Sequence, residues 1–304
     1  MAVLRTSSGA RPFRGIGSER SGRCLYARHE NGRIPGRNTG IRSAIDMQIL
    51  RELFGAVGDA ADILGVDPAF KSSVLEARSK LAPTQIGRKG NLQEWLDDWD
   101  ETEKSHRHNS GLWGLYPGHQ ISPRLAPELA EASRVVLEQR GLTGNGWSSA
   151  WKAACWARLE NGLKALENIR YAVGNYTTAS LFSICSHAMQ VDGTMGMTAA
   201  IGEMLLQSDG GELRLLPALP GSWSTGEVRG LRARGGFEVD FSWDSRGPRK
   251  AAIRSQAGKI CRIRTAVRFT VTHGGKPVAV TRPEELVTEF PTASGEKYSL
   301  VRVD

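Results

Sequence analysis

Two hydrophobic periods divide this chain, and the point where one gives way to the other limits its fold more than any other feature. From Ala44 to about residue 207, apolar residues recur at intervals of three and four, as in Leu50, Phe54, Val57, Ala61 and Leu64. That spacing puts them on one face of a helix. From Gly211 onward the apolar residues gather in short runs broken by Gly, Pro and Asp, the texture of strands and tight turns. A helical block followed by a strand block builds two layers or two domains, not an alternating α/β sheet.

Local signals refine the division. Asp67-Pro68 supplies an N-cap and a first-turn proline for a helix expected to bury Phe70, Val74, Ala77 and Leu81. Further helices are expected at about 90–98, 127–140, 147–161, 163–173, 177–187 and 195–207, with Pro127 opening and Gly141 closing the second of these. The loops between them are short enough for antiparallel helix hairpins. From Gly211 strands are expected at 212–216, 227–233, 237–243, 250–255, 259–266 and 267–272, a small β domain joined through Pro217-Ala218-Leu219-Pro220-Gly221.

With 304 residues, 40% of them hydrophobic, the chain can bury a core. Its formal charge of +8 is concentrated in residues 1–44, where nine Arg face only Glu19 and Glu30. That arm is Arg-, Gly- and Ser-rich without an apolar period and is expected to be irregular. No basic run with interleaved aromatics appears, so nucleic acid is not an expected partner. No stretch has the roughly 20 apolar residues of a membrane span, and the N-terminus lacks the apolar core of a secretory signal. Cys24, Cys155, Cys185 and Cys261 form no C-x-x-C pair; neither a metal nor a cofactor is expected. Nucleotide-binding glycine motifs and the G-x-S-x-G elbow are missing from the sequence.

Three loops concentrate chemistry. His106-Arg107-His108-Asn109-Ser110 precedes Tyr116-Pro117-Gly118; Thr143 to Ser148 enters a helix carrying Trp147, Trp151 and Trp156; Gln190-Val191-Asp192-Gly193 places a glycine-flanked acid at a helix start. Sugars call for this mixture, with aromatic faces for the ring C–H groups and planar donors and carboxylates for the hydroxyls. The residues alone leave plainer readings open. His106 and His108 could cap a helix end, Trp151 and Trp156 sit at core spacing, and Asp192 could be a turn or cap residue.

Taken together, these segments resemble the family 95 α-L-fucosidases. The resemblance rests on the His106–Ser110 and Tyr116–Gly118 runs, Gly144 to Trp151 as G-N-G-W-S-S-A-W, Trp156-Ala157-Arg158-Leu159, Gln190–Gly193 and Glu203 to Ser208. It continues through Leu215 to Pro220, Gly230 to Phe237, and Gln85–Arg88 followed by Leu92–Trp95. It implies an α+β multidomain chain: a partial (α/α)6 toroid of helix hairpins at 44–210, then a small antiparallel β-sandwich at 211–304, with 1–43 as the irregular arm.

The resemblance further implies an inverting glycosidase acting on a fucosylated oligosaccharide with terminal α-1,2-linked fucose. Asp192 matches the family's essential aspartate, which polarises two asparagines that hold the attacking water. Arg107 and His108 match sugar contacts, Trp147 lies on the same surface, and His187 stands near the family's histidine ahead of the aspartate. The general acid is expected at Glu30, within His29-Glu30-Asn31-Gly32, with Glu94 as the fallback. The N-x-N segment of those asparagines has no counterpart in this sequence, and Ser110 is followed by Gly111 where the family has histidine. The chain is therefore expected to be a truncated form with little or no activity alone, with residues 1–28 foreign to the fold. Full-length relatives are often secreted or periplasmic. The alternatives are an α-L-galactosidase of the same family and a noncatalytic carbohydrate-binding or degenerate remnant.

Overall fold

The computed structural model describes residues 43–101 and 103–303; Glu30 and the arm up to residue 42 lie outside them. The helical part opens with α1 (Ala44–Leu64) and α2 (Pro68–Ser79), which pack as a hairpin. Ser43 caps α1, its hydroxyl accepting from Asp46 N at 3.3 Å, and Gly65 closes the helix in the left-handed conformation at φ 66°. The two helices are stitched by Arg51 Nη2 donating to Ala82 O (2.9 Å) and Arg78 Nε donating to Arg51 O (3.0 Å).

Then follow α3 (Pro127–Arg140), α4 (Gly146–Arg158), α5 (Gly162–Asn175) and α6 (Val191–Leu205). In α4 every residue except Trp147 is buried, because α3, α5 and α6 all pack against it. Asn145 and Asn161 cap α4 and α5, their side-chain oxygens accepting from Ser148 N (2.9 Å) and Lys164 N (3.0 Å). Each such cap stabilises a helix by about 1 kcal/mol. The helical core gathers Leu112, Leu115, Leu137, Trp151, Cys155, Trp156 and Leu166, so the core reading of Trp151 and Trp156 is correct.

Buried Gln48 pins α1 to the loop leading toward α3. It donates to Gly111 O (3.1 Å) and accepts from Gly114 N (2.8 Å). Among the described residues, nothing comparable covers the outer surface of the hairpin. Ile63 is 82%, Leu64 70% and Phe70 59% exposed. Val74 is buried as expected, but Phe70 and Ala77 face solvent.

The β part comprises β3 (Leu206–Asp209), β4 (Glu212–Leu215), β5 (Gly226–Ala233), β6 (Phe237–Asp244), β7 (Gly247–Ser255), β8 (Cys261–Arg264), β9 (Phe269–His273), β10 (Lys276–Pro277), β11 (Val287–Phe290) and β12 (Lys297–Arg302). They form a six-stranded sheet, β10-β9-β12-β7-β6-β5, and a four-stranded sheet, β11-β8-β4-β3. Pairing is antiparallel except between β4 and β8. One core draws Val239, Phe241, Ile253, Val271 and Leu300 from the first sheet and Leu213, Leu215, Ile263 and Phe290 from the second, so the sheets pack face to face. In β6 burial alternates residue by residue, as one half-buried face requires.

Helices and sandwich are locked by buried charge. Glu212 on β4 is 3% exposed and pairs with Arg124, Arg262 and Arg264. Arg214 binds Asp209 at 2.9 Å and Glu160, at the end of α4, at 2.6 Å. Arg158 near the end of α4 binds Glu203 on α6 at 2.5 Å.

Several expectations fail, for local reasons. No helix forms at 90–98: Leu92 and Trp95 make isolated bridges to Ile86 and Ser43, and Ala44 N donates to Glu94 O. The 177–187 segment is not helical either. It turns through Leu181 and Ser186 at positive φ into a two-stranded hairpin, β1 (Ile184–Cys185) with β2 (Ala188–Met189). Asp67 precedes α2 in the left-handed conformation at φ 52° and makes no side-chain cap bond.

Candidate functional site

The sugar-type residues sit on loops that meet where α4 and α6 begin. The 101–108 loop is held from below: Arg140 Nη1 donates to Glu103 O (3.0 Å), Arg140 pairs with Glu101, and Thr143 Oγ1 donates to Ser105 O (3.3 Å). Burial raises the Glu101 carboxyl above its ordinary pKa despite the opposing Arg140 charge. On this loop Arg107 Nε donates to His108 Nε2 at 3.3 Å, and His108 N donates to His106 Nδ1 at 3.2 Å. Guanidinium can only donate, so His108 Nε2 accepts and its Nδ1 carries the proton. Burial, followed by the His106 and Arg107 charges, lowers the His108 pKa and favours this neutral form.

The turn before α4 lies directly alongside. A Cβ on Gly144 would be 3.8 Å from Arg107 Cβ. Buried Lys152 fixes this turn from inside, its ammonium donating to Gly141 O at 2.6 Å and to Thr143 O at 2.5 Å. Trp147, the second residue of α4, stacks on Trp151 with centroids 5.2 Å apart and planes at 27°. Trp151 in turn donates through Nε1 to Tyr116 O at 2.7 Å.

The third loop docks on the same helix start. Trp147 N donates to Gln190 Oε1 at 2.9 Å, and a Cβ on Gly193 would stand 2.9 Å from the Gly146 carbonyl carbon. Asp192 is exposed on the first turn of α6. The N-cap position belongs to Gln190, so Asp192 is not the cap; its charge is favourably placed at the helix's positive end. His187 is exposed on the turn between β1 and β2. Glu94 is hydrogen-bonded by the Ser110 hydroxyl and lies outside any helix.

The sequence reading gave Gln190 no role of its own and did not name Ser183 or Lys152; all three hold loops together. Only Gln190 carried a signal, its place beside Asp192. An open groove of about 410 Å³ lies apart from these loops, on the outer face of the six-stranded sheet. Glu227, Arg229, Asp240 and Lys250 are among the residues lining it. Among the described residues no group of three or more His, Cys, Asp or Glu could hold a metal ion, and no helix is long and apolar enough to cross a membrane.

Comparison with known proteins places the family. Residues 29–205 match the glycosyl hydrolase family 95 catalytic domain and 207–300 the glycoside hydrolase family 95 C-terminal domain. The chain belongs to glycoside hydrolase family 95. It is 41% identical over 214 residues to alpha-L-fucosidase 2 of Arabidopsis thaliana, a match covering 66% of this chain and 25% of that protein. Probable alpha-fucosidase A from Aspergillus niger is 33% identical over 221 residues and that from Aspergillus oryzae 31% over 229; each match covers 66% of this chain, with 28% and 32% of those proteins. The chain thus spans about a quarter to a third of the length of these relatives.

Proposed function

We propose that this chain carries the fucose-contacting loops of an inverting α-L-fucoside hydrolase. The helical residues 44–210 would hold the sugar, and 211–304 would support them. The observation that carries this reading is the convergence of Arg107-His108, Trp147 and Asp192 on the adjoining starts of α4 and α6.

In the proposed mechanism the Arg107 fork and the His108 Nδ1–H bind ring hydroxyls, while the exposed part of Trp147 meets the apolar face of the sugar. Asp192 acts on the face opposite the leaving group, where its carboxylate accepts a hydrogen bond from the attacking water. An acid, assigned to Glu30, protonates the departing oxygen. Inversion requires the two groups to stand about 6.5–9.5 Å apart, leaving room for that water. A fucosylated oligosaccharide is the proposed substrate. The asparagine pair expected of the family is not encoded in this chain, so binding is the direct test and turnover the secondary one.

The purified chain is titrated with L-fucose and 2′-fucosyllactose by NMR, and assayed with an aryl α-L-fucoside. Saturable binding that weakens at least tenfold in Asp192→Asn and in Arg107→Ala supports the reading. Binding indifferent to both substitutions overturns it.

A further inference from the structure

Ser183 occupies an unusual place beneath this site. It is 3% exposed, and its hydroxyl has no hydrogen-bond partner among the described residues. Its backbone is fastened to the start of α6 on both sides: Ser183 N donates to Thr194 Oγ1 (3.0 Å), and Gln190 N donates to Ser183 O (2.7 Å). The hydroxyl lies between two helix starts. A Cβ on Gly146 of α4 would meet Ser183 Oγ at 1.9 Å, and one on Gly193 of α6 would meet it at 2.0 Å. A buried hydroxyl without a partner is unfavourable as a polar group; what this one contributes is volume, filling the gap that the two glycines leave.

We propose that Ser183 is a positioning residue whose hydroxyl is the spacer filling the recess beside the Gly146–Gly193 backbone contact, fixing how the first turns of α4 and α6 are set against each other and hence how Trp147 stands relative to Asp192. The inference rests on the sugar site proposed above and adds the element that fixes its width. Trp147 directly follows Gly146, and Asp192 directly precedes Gly193, so any shift at the wedge passes to both side chains through a single peptide unit. Ordinary C···O contact is about 3.5 Å; a methyl group at 1.9 Å would force a displacement on the order of 1 Å, enough to weaken a positioned site roughly 100-fold.

The spacer argument makes a prediction that general destabilisation does not. Ser183→Gly empties the recess and lets the two first turns shift against each other, whereas Gly146→Ala overfills it and forces them out of place. In the double variant the new methyl group takes the place of the lost hydroxyl. Its next neighbour in the parent structure beyond Ser183 is Ile184 O, at 3.3 Å, a contact that small adjustment relieves. Gly202→Ala on α6, with nothing within 4 Å of the added methyl, is the neutral comparator.

The measurement uses the whole chain and two probes, neutral L-fucose and an iminosugar of L-fuco configuration whose ring ammonium reports on a nearby carboxylate. Their affinity ratio is insensitive to the fraction of folded protein. Each single variant is expected to change that ratio at least tenfold, while the double variant and Gly202→Ala return to within about threefold of the parent. A ratio unchanged in either single variant, or losses that simply add in the double, would overturn the spacer. If the parent binds neither probe, the proposed sugar site fails. The spacer is then judged by the amide resonances of Trp147 and Gly193: displaced in both singles and restored in the double supports it, and any other pattern overturns it.

Discussion

The backbone N–H of Trp147 donates to Gln190 Oε1 at 2.9 Å, which ties the segment carrying Asp192 to the helix that carries the aromatic platform. Gln190→Ala leaves a donor at the start of α4 without its partner. The expected loss is about 1 kcal/mol of stability, read as a lower urea midpoint with unchanged slope. Sugar affinity should fall as well, because two loops of the site lose their connection.

His119 gives the fold an acid limb. Its Nδ1 accepts from Arg158 Nη1 at 2.9 Å. Burial first, then the Arg158 and Arg234 charges, lower its pKa to about 4 from 6.5, with Glu52 and Asp209 opposing. The folded state therefore holds the ring neutral where the unfolded chain would protonate it, so the contribution is fully present above pH 6.5 and is lost as pH falls toward 4. The gap corresponds to at most about 3 kcal/mol. Urea midpoints measured between pH 7 and pH 4 should fall more steeply for the parent than for His119→Gln.

Glu212 should be the most damaging single carboxylate to remove. Burial alone would raise its pKa, but the Arg264 hydrogen bond and the Arg124, Arg264 and Arg262 charges prevail and hold it below the ordinary value. Glu212→Gln leaves those arginines without their shared anion, at an expected cost of about 3–5 kcal/mol. Thermal melts at neutral pH, compared with Glu227→Gln on exposed β5, measure the difference. The parent's Glu212 contribution should also fade on acidification below the ordinary glutamate range, since the folded pKa is the lower one.

Gly162 opens α5 against the linker between the helices and the sandwich. A Cβ there would stand 2.2 Å from Ala218 O and 2.7 Å from Ala218 C, backbone atoms that a side-chain rotation cannot move aside. Helix propensity favours alanine over glycine by about 1 kcal/mol. Gly162→Ala should nevertheless destabilise the chain by more than that, shown by a lower melting temperature and faster proteolysis at the 217–221 linker.

The legible parts of the fold were those set by local chemistry. Both bounds of α3 follow from the sequence because Pro127 and Gly141 act within one turn of the residues they terminate. The strands that alternate cleanly, β6 above all, are equally plain. The failures need tertiary information. Trp95 bridges Ser43, distant in sequence, and Leu92 bridges Ile86, while the 177–187 hairpin depends on positive φ at Leu181 and Ser186, a conformation that neither residue type favours. β11 and β12 were not expected, and β3 follows α6 without a turn residue between Leu205 and Leu206. Arg107, His108, Trp147 and Asp192 are candidates that residue type and motif put forward. Ser183 is not among them, because a buried serine acting through its volume has no compositional signature.

The apolar outer surface that the α1–α2 hairpin shows among the described residues has a meaning beyond packing. Ile63, Leu64 and Phe70 offer water the kind of apolar helical stretch that chaperones and proteases use to recognise unfinished proteins. A polar substitution on that surface is therefore expected to change how much of the chain a cell retains, without touching a residue of the proposed sugar site.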